Sequence, residues 1–479
     1  MIFYNTELTL FFEIYLILIL AYAILIMSSY LILAYLSTKE LKEYLKKNSF
    51  VDYEVLLTSE FAPKLSLIAP AYNESFTIQE NVKSLLSLNY NNYQVIVVND
   101  GSKDNSMEIL IKTYDLILTE LDFHSKIETK KIRGIYTSKN AAFKKLIVVD
   151  KENGGKADAL NAGLNIAQNP YVVCIDVDCI LDKDSLLKLA KPFLESYGKR
   201  IIATGGVVRI ANQCVIKNGR LVDVNIPDVM LSRIQVLEYL RAFLLGRMAW
   251  GRLDGLLLIS GAFGAFDKEI ALLAGGYNTK TVGEDMELVV RMRRYMLENK
   301  IPYTVSYIPD PLCWTEAPED FKIFKKQRSR WMRGTIETLS IHKKMFLNPK
   351  YNRLGLLSIP YWTFFELLAP GIEFTGLVIT ALFIIFGLLK WHFFLLLLLF
   401  VYSFAIFFSV IALYSEERTY HKYPKQADFF KLLLAAFIEP FYFHPLAVYA
   451  ALIGYKEKIM GTKGWGEMTR KGFTKKEES

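Results

Sequence analysis

Two aspartates with one valine between them, Asp176 and Asp178, close the apolar run VCIDVDCI at residues 173–180. In an extended chain alternate side chains share a face, which would hold the two carboxylates together on Cα atoms about 6 to 7 Å apart. Like charges that close require protonation of one, solvent around both, or a cation between them. Two other short apolar runs end in comparable chemistry. APAYNES carries Pro70, Tyr72 and Glu74, and VVNDGS carries Asp100. An aromatic face for stacking and carboxylates for base and ribose donors are what a nucleoside pocket requires, so these residues are read together as ligand-facing. Ser102, Asp104 and Asn105, just beyond, are read as turn formers or caps. In DKENGGKADALNAGL (150–164) a glycine pair leads into Lys156 at the start of a helical pattern. Free backbone N–H groups, the positive helix end and an ammonium there favour a phosphate-bearing ligand.

The elements that position these residues follow from periodicity. A strand is expected from Leu65 to Ile68, a helix from about Ile78 to Leu88, and a second strand through YQVIVV before Asp100. Strand alternating with helix implies an α/β domain with a parallel sheet, whose ligands gather at the carboxyl ends of strands. Tyr72, Glu74 and Asp100 all fall at such ends.

Hydropathy divides the 479 residues, which carry a formal net charge of +8. Leu8–Tyr35 is almost wholly apolar, long enough to span a bilayer and without a cleavage site, so residues 1–38 are read as a retained anchor. The basic stretch KELKEYLKK after it places the following region in the cytoplasm by the positive-inside bias. Residues 39–350 lack any long apolar run and are expected to form one soluble domain. Residues 351–455 hold interfacial and transmembrane helices, with clear spans at Gly371–Leu389 and Phe393–Leu413. Phe429–Tyr455 contains EPFYFHP, with Glu439, His444 and two prolines at mid-span. Proline removes a helical hydrogen bond and ionisable groups are costly in lipid, so a broken, re-entrant hairpin is expected there. It would leave the basic tail, 456–479, in the cytoplasm. The positive charge suits anionic lipid and diphosphates, and no nucleic-acid-binding module is present. Cys174, Cys179, Cys214 and Cys313 lack zinc-type spacing and are read as core residues.

Taken in order, AYNES, NDGS, NGGKADALNAG, DVD, GED (283–285) and QRSRW (327–331) resemble the membrane-embedded family 2 glycosyltransferases of GT-A fold, the group of the cellulose, chitin, hyaluronan and poly-N-acetylglucosamine synthases. The resemblance covers the whole soluble domain and implies an inverting, processive glycosyltransferase of a multi-pass plasma membrane protein. Its partners would be a UDP-sugar donor, N-acetylglucosamine being the expected sugar, a growing β-linked polysaccharide or lipid acceptor, the bilayer and export or accessory subunits. Asn99 departs from it, standing where many relatives have an acid.

Under the resemblance, Asp176 contacts the ribose–phosphate region and Asp178 ligates Mg2+ or Mn2+ on the diphosphate. Asp285 is then the base that deprotonates the attacking hydroxyl, with Glu284 beside it. Gln327, Arg330 and Trp331 fit QxxRW, the motif of processive members, offering hydrogen bonds, a cation and an indole face for a sugar. Trp465, with Thr469 and Arg470, loosely matches a gating segment of hyaluronan and chitin synthases, with one extra residue before Thr469. Two rivals stand beside this reading: a non-processive enzyme adding one sugar to a lipid-linked acceptor, and an inactive export scaffold, against which the retained Asp178 and Asp285 argue.

Overall fold

The computed structural model describes residues 6–177, 179–195, 198–217 and 219–462. Twelve strands appear among them: β1 Leu65–Ala71, β2 Tyr93–Asp100, β3 Leu116–Leu118, β4 Ile132–Ser138, β5 Leu146–Lys151, β6 Tyr171–Ile175, β7 Ile180–Leu181, β8 Arg200–Ile210, β9 Val215–Lys217, β10 Arg220–Asp223, β11 Phe263–Asp267 and β12 Tyr303–Thr315. Ten of them form one mixed sheet in the order β3-β4-β5-β2-β1-β6-β11-β8-β12-β7. Its centre is parallel, β5, β2, β1 and β6 running the same way. Strand β11 pairs antiparallel with both β6 and β8, which joins the two halves of the sheet.

The central strands are apolar on both faces because helices cover both. Leu65, Leu67 and Ile68 of β1 and Val95 to Val98 of β2 are buried, the pattern expected of a covered parallel sheet. Helix Lys156–Ile166 lies so close to β1 that a Cβ on Gly163 would sit 2.2 Å from the Ile68 side chain. Only glycine permits that approach. Gly155 opens the same helix at φ +87°, a left-handed backbone that a side chain would strain. The four cysteines are free and buried, as ordinary core residues.

Helix Thr6–Asn48 continues well past residue 38, and its inner end is fixed to the domain where Arg252 binds Glu40 at 2.6 Å and Glu43 at 2.9 Å. Among the described residues, four stretches of helix are long and apolar enough to cross a membrane: Glu13–Asn48, Leu354–Ile385, Trp391–Thr419 and Gln426–Ile459. The expected break at EPFYFHP is absent. Gln426–Ile459 is one continuous helix with Pro440 and Pro445 inside it. Each proline removes a single hydrogen bond, and packing outweighs that loss. Phe443 meets Phe324 edge-on at 5.2 Å, and Gly454 seats against the Ser329 carbonyl of helix Phe321–Ile341. Glu439, the charge that argued against a helix, is gripped by both arms of Arg241 and accepts from Ser409 Oγ at 2.9 Å.

Candidate active site

Three loops at the carboxyl ends of β1, β2 and β5 are stitched to one another. Asn73, at φ +58°, donates its N–H to Ser102 Oγ and accepts from Lys103 N at 2.8 Å. Ser75 N donates to Asp104 Oδ2 at 3.0 Å, so Ser102 and Asp104 serve the loops as turn formers. Asp100 ends β2 with its carboxylate turned inward. Gly154 N reaches Oδ1 at 3.0 Å, Gly155 N reaches Oδ2 at 2.8 Å, and Lys151 Nζ lies 2.6 Å from Oδ1. Asp100 therefore shapes the Gly-Gly-Lys turn rather than presenting free oxygens outward. Tyr72 is exposed on the same rim, Pro70 sits in β1 beside Val98, and Glu74 accepts from Thr77 Oγ1 at 2.9 Å.

A second group forms where β6, the 260–262 turn and two helices converge. Strand β6 stops at Ile175, and Val177 lies in a turn. The alternation expected of a continuing strand through Asp176 and Asp178 is thus not the local geometry, and Asp178 lies outside the described residues. Asp176 meets Lys156 Nζ at 2.5 Å, and the same ammonium is 3.6 Å from Glu284 Oε1. Asp285, at the head of helix Glu284–Glu298, is held by both oxygens: Gly261 N donates to Oδ2 at 2.9 Å and Met286 N to Oδ1 at 2.8 Å. Gly283 touches Gly334 so closely that a Cβ there would lie 2.7 Å from the Gly334 Cα. That contact brings the helix bearing Arg330 against the acids.

Charge and burial interact strongly in this cluster. Burial pushes the Glu284 carboxyl up to about 7, Lys156 and Arg330 pulling it back and Asp285 adding to the rise. For Lys156 burial acts downward, but Asp176 and Glu284 hold the ammonium above its ordinary value. Burial lowers Arg330 despite the three acids facing it. On the same helix the largely buried Arg328 makes a two-pronged pair with Glu238, at 2.6 and 2.5 Å, and lies 4.3 Å over the Trp331 ring.

These groups open into one cavity of about 1600 Å3. Lys156, Asp176, Glu284, Asp285, Gln327, Arg330 and Trp331 line its catalytic-domain end; Tyr22, Glu366, Glu373 and Phe393 line the end among the membrane helices. Pro70, Tyr72, Glu74 and Asp100 are outside it, so the site has two parts, a loop rim and a cavity floor. Trp465 and Arg470 lie outside the described residues. Among the described residues, buried polar atoms on the wall without a protein hydrogen-bond partner include Tyr15 Oη, Arg247 Nη1, Gln327 Oε1, Arg328 Nε and Trp362 Nε1. Leaving such groups unmet costs about 1 to 3 kcal/mol each, which points to a ligand rich in hydrogen-bonding groups. Among the described residues no three His, Cys, Asp or Glu side chains gather into a cation cage. Asp176, on the cavity wall, supplies the hard oxygen donor that a divalent cation takes.

The sequence did not disclose Lys151, Asp158 or Glu238; Gly261, in ISGAFGAF, was legible as a small residue where backbone approaches a sugar, with ordinary packing the rival. The one visible signal was Glu238, the single acid in the otherwise apolar stretch of helix Met230–Leu240.

Comparison with known proteins places this geometry in context. Residues 66–213 match the model described as Glycosyl transferase family 2, and residues 171–410, half of the chain, match Glycosyl transferase family group 2. A poly-beta-1,6-N-acetyl-D-glucosamine synthase of Staphylococcus epidermidis is 30% identical over 276 residues, 57% of this chain and 55% of the relative. The chain thus matches a little over half the length of that protein. The synthase of the same name from Staphylococcus aureus strain COL is 28% identical over 344 residues, 70% of this chain and 69% of the relative. Among solved structures, a mannosyltransferase from Pyrobaculum calidifontis in complex with GDP-Man and Mn2+ aligns at TM-score 0.49 and 15% identity, over 91% of this chain and 99% of the other.

Proposed function

Because this chain belongs to glycosyltransferase family 2, a membrane enzyme built on a GT-A-type α/β sheet, we propose that it polymerises N-acetylglucosamine from its UDP-sugar into a β-linked polysaccharide with inversion. The cavity that runs unbroken from Asp285 into the membrane helices carries this reading. A polymerase must hold its product's end at the base while earlier sugars move away, and unmet polar atoms from Gln327 to Tyr15 suit a chain of hydroxyls.

The proposed roles are these. Tyr72 and Glu74 on the exposed rim meet the nucleoside, with Pro70 beneath them, and Asp100 acts by shaping the turn that presents Lys156. Lys156 leaves Asp176 for the diphosphate. Asp178, with Asp176 nearby, would hold Mg2+ or Mn2+, which when bound offsets charge on the leaving diphosphate. Asp285 Oδ2 or Oδ1 takes the proton of the acceptor hydroxyl as that oxygen attacks the anomeric carbon; the diphosphate departs from the opposite face. Gln327 Oε1 accepts from an acceptor hydroxyl, and Trp331, 41% exposed, offers its face to a sugar ring. Arg330 faces the diphosphate. For Trp465 and Arg470, outside the described residues, a nucleotide-site role rests on the sequence resemblance alone. The catalytic domain is cytoplasmic and the protein multi-pass, with export or accessory subunits receiving the product.

A second reading, transfer of one sugar to a lipid-linked acceptor, is favoured by the aromatic and aliphatic wall at Phe393, Leu397 and Phe404. Membranes carrying the full chain, given a panel of UDP-sugars, separate the two. High-mass product from UDP-N-acetylglucosamine, cut by a linkage-specific hydrolase, lost with chelator and restored by Mg2+ or Mn2+, is expected. A product one sugar longer than its acceptor supports the second reading, and no turnover with any donor supports a scaffold.

A further inference from the structure

Helix Glu284–Glu298 carries Asp285 in its first turn but begins without a cap of its own, because Gly283 stands at the capping position and has no side chain to accept from that turn. What fixes the residues before it comes from another helix. Glu337 of helix Phe321–Ile341 accepts on Oε2 from Thr281 Oγ1 at 2.8 Å and from Val282 N at 3.0 Å. Thr281 Oγ1 in turn accepts from Gly283 N at 3.1 Å. Residues 281 to 283, directly ahead of Glu284 and Asp285, thus hang on one carboxylate oxygen. The other oxygen, Oε1, takes Lys458 Nζ at 2.9 Å from the last turn of helix Gln426–Ile459.

The contacts follow one stripe of helix Phe321–Ile341. Arg330, Gly334 and Glu337 succeed one another at spacings of four and three, which puts them on one face. Arg330 faces the acids at the head of the neighbouring helix, Gly334 meets Gly283 with no room for a side chain, and Glu337 closes the stripe. Thr281 is buried, and the Glu337 side chain is only 14% exposed. A carboxylate in that position is costly unless both oxygens are answered, as they are here. Burial acts upward on it, yet the bonds from Lys458, Val282 and Thr281 hold it below the usual carboxylate range, so the acceptor is charged and its bonds are of the stronger, charge-assisted kind. Among the described residues Val282, Gly283, Glu284 and Asp285 line the cavity, whereas Thr281 and Glu337 do not. Glu337 stands behind a turn whose other side forms the cavity wall.

We infer that Glu337 is a positioning residue for Asp285: it clasps the 281–283 turn to helix Phe321–Ile341 and thereby sets where the Asp285 carboxylate stands. Gly261 N and Met286 N orient the two oxygens of that carboxylate locally. Glu337 fixes the helix that bears it relative to the helix that bears Arg330. A base on one helix and a diphosphate-facing cation on the other act together only in one register, and a misplacement of about 1 Å costs about 10²-fold in rate. Lys458 braces the clasp from the far side, so the end of helix Gln426–Ile459 is tied to the base through a single carboxylate. The inference rests on the reading of Asp285 as the base.

The test measures kcat, KM and calorimetric UDP affinity on the full chain in lipid nanodiscs, with UDP-N-acetylglucosamine or whichever UDP-sugar the panel above turns over. Glu337→Ala is expected to lower kcat about 10- to 100-fold while KM and UDP affinity stay near native, since the donor's own contacts are untouched. Glu337→Gln keeps a carbonyl oxygen for Thr281 and Val282 and should restore most of that loss. Thr281→Val cuts the same link from its other end at nearly the same side-chain size. It should also lower kcat, and combined with Glu337→Ala it should add nothing, as for residues that act through one contact. Glu337→Ala at the native rate, losses in kcat and UDP affinity that run in proportion, or a double variant whose losses multiply would each overturn the inference. If Glu337→Ala does not fold, Thr281→Val decides alone, and a native kcat there overturns it. Asp285→Asn separates the inference from its premise. Turnover retained in Asp285→Asn defeats the reading of the base, whereas an inactive Asp285→Asn beside a fully active Glu337→Ala defeats only the positioning role.

Discussion

Two lysines five residues apart each bridge two carboxylates, yet they sit in opposite circumstances. Lys151 is sealed: its ammonium lies 2.6 Å from both Asp100 and Asp158 and donates to the Glu152 carbonyl, with no exposure. Lys156 lies 2.5 Å from Asp176 and 3.6 Å from Glu284 Oε1, and it stands on the cavity wall. A cation saturated by the fold can only hold it together. One with a 3.6 Å partner beside an open cavity can exchange a carboxylate for a phosphate at little cost. The same chemistry serves architecture in the first case and ligand exchange in the second.

The comparison is broken most directly in the open cluster. Asp285→Asn is expected to lower turnover about 10³-fold while nucleotide affinity, read by calorimetry, is nearly unchanged, since a general base contributes about 10² to 10⁴ and acts on the acceptor. Loss of nucleotide affinity in proportion to turnover would put Asp285 on the donor. Next is the sealed lysine. Lys151→Met leaves Asp100 and Asp158 buried without their counter-charge, a loss of about 3 to 5 kcal/mol by analogy with other broken buried pairs, visible as a lowered unfolding midpoint. If Lys151→Met keeps its midpoint but loses turnover, the division into architecture and exchange fails.

Lys156→Met is expected to reverse that pattern: donor affinity falls about 10- to 100-fold, or about 1.4 to 2.8 kcal/mol, with a smaller change in midpoint. The smallest effect concerns pH. Because the folded state raises Glu284 from 4.5 to about 7, it favours the protonated carboxyl. The associated stability is fully present below pH 4.5, is lost as pH rises to about 7, and is flat above. In the nucleotide-free protein the midpoint should therefore drop by a few degrees across that window. Glu284→Gln should flatten the slope, and an unchanged slope would assign it to another group.

The sealed and open clusters also differ in how far the sequence disclosed them. Strand ends, glycine turns and the order of the motifs were legible because they depend on local periodicity and backbone need: β1 and β2 end where Tyr72 and Asp100 were expected, and Lys156 heads its helix. Lys151 was not legible. It occupies an alternating position in an apolar strand, LIVVDK, and what buries it is the tertiary arrival of Asp100 and Asp158. Gly261 was legible as a small residue, but not as a partner of Asp285, because its amide rather than a side chain holds that carboxylate from 24 residues away. The continuous helix through EPFYFHP was misread because local rules price proline and glutamate singly, whereas Arg241 and Ser409 answer Glu439 from distant parts of the chain. Asp178 and the tail residues Trp465 and Arg470 lie outside the described residues and stay as the sequence reads them.

Arg209 of β8 and Glu416, near the inner end of helix Trp391–Thr419, form an ion pair with both side chains almost wholly buried. One partner belongs to the sheet and the other to the membrane hairpin, about 200 residues later in synthesis. When β8 leaves the ribosome its arginine has no counter-charge, and a buried lone guanidinium disfavours closure of that side of the sheet. Closure of this side of the sheet and docking of that helix are therefore energetically coupled, the unpaired arginine costing about 3 to 5 kcal/mol until its partner arrives.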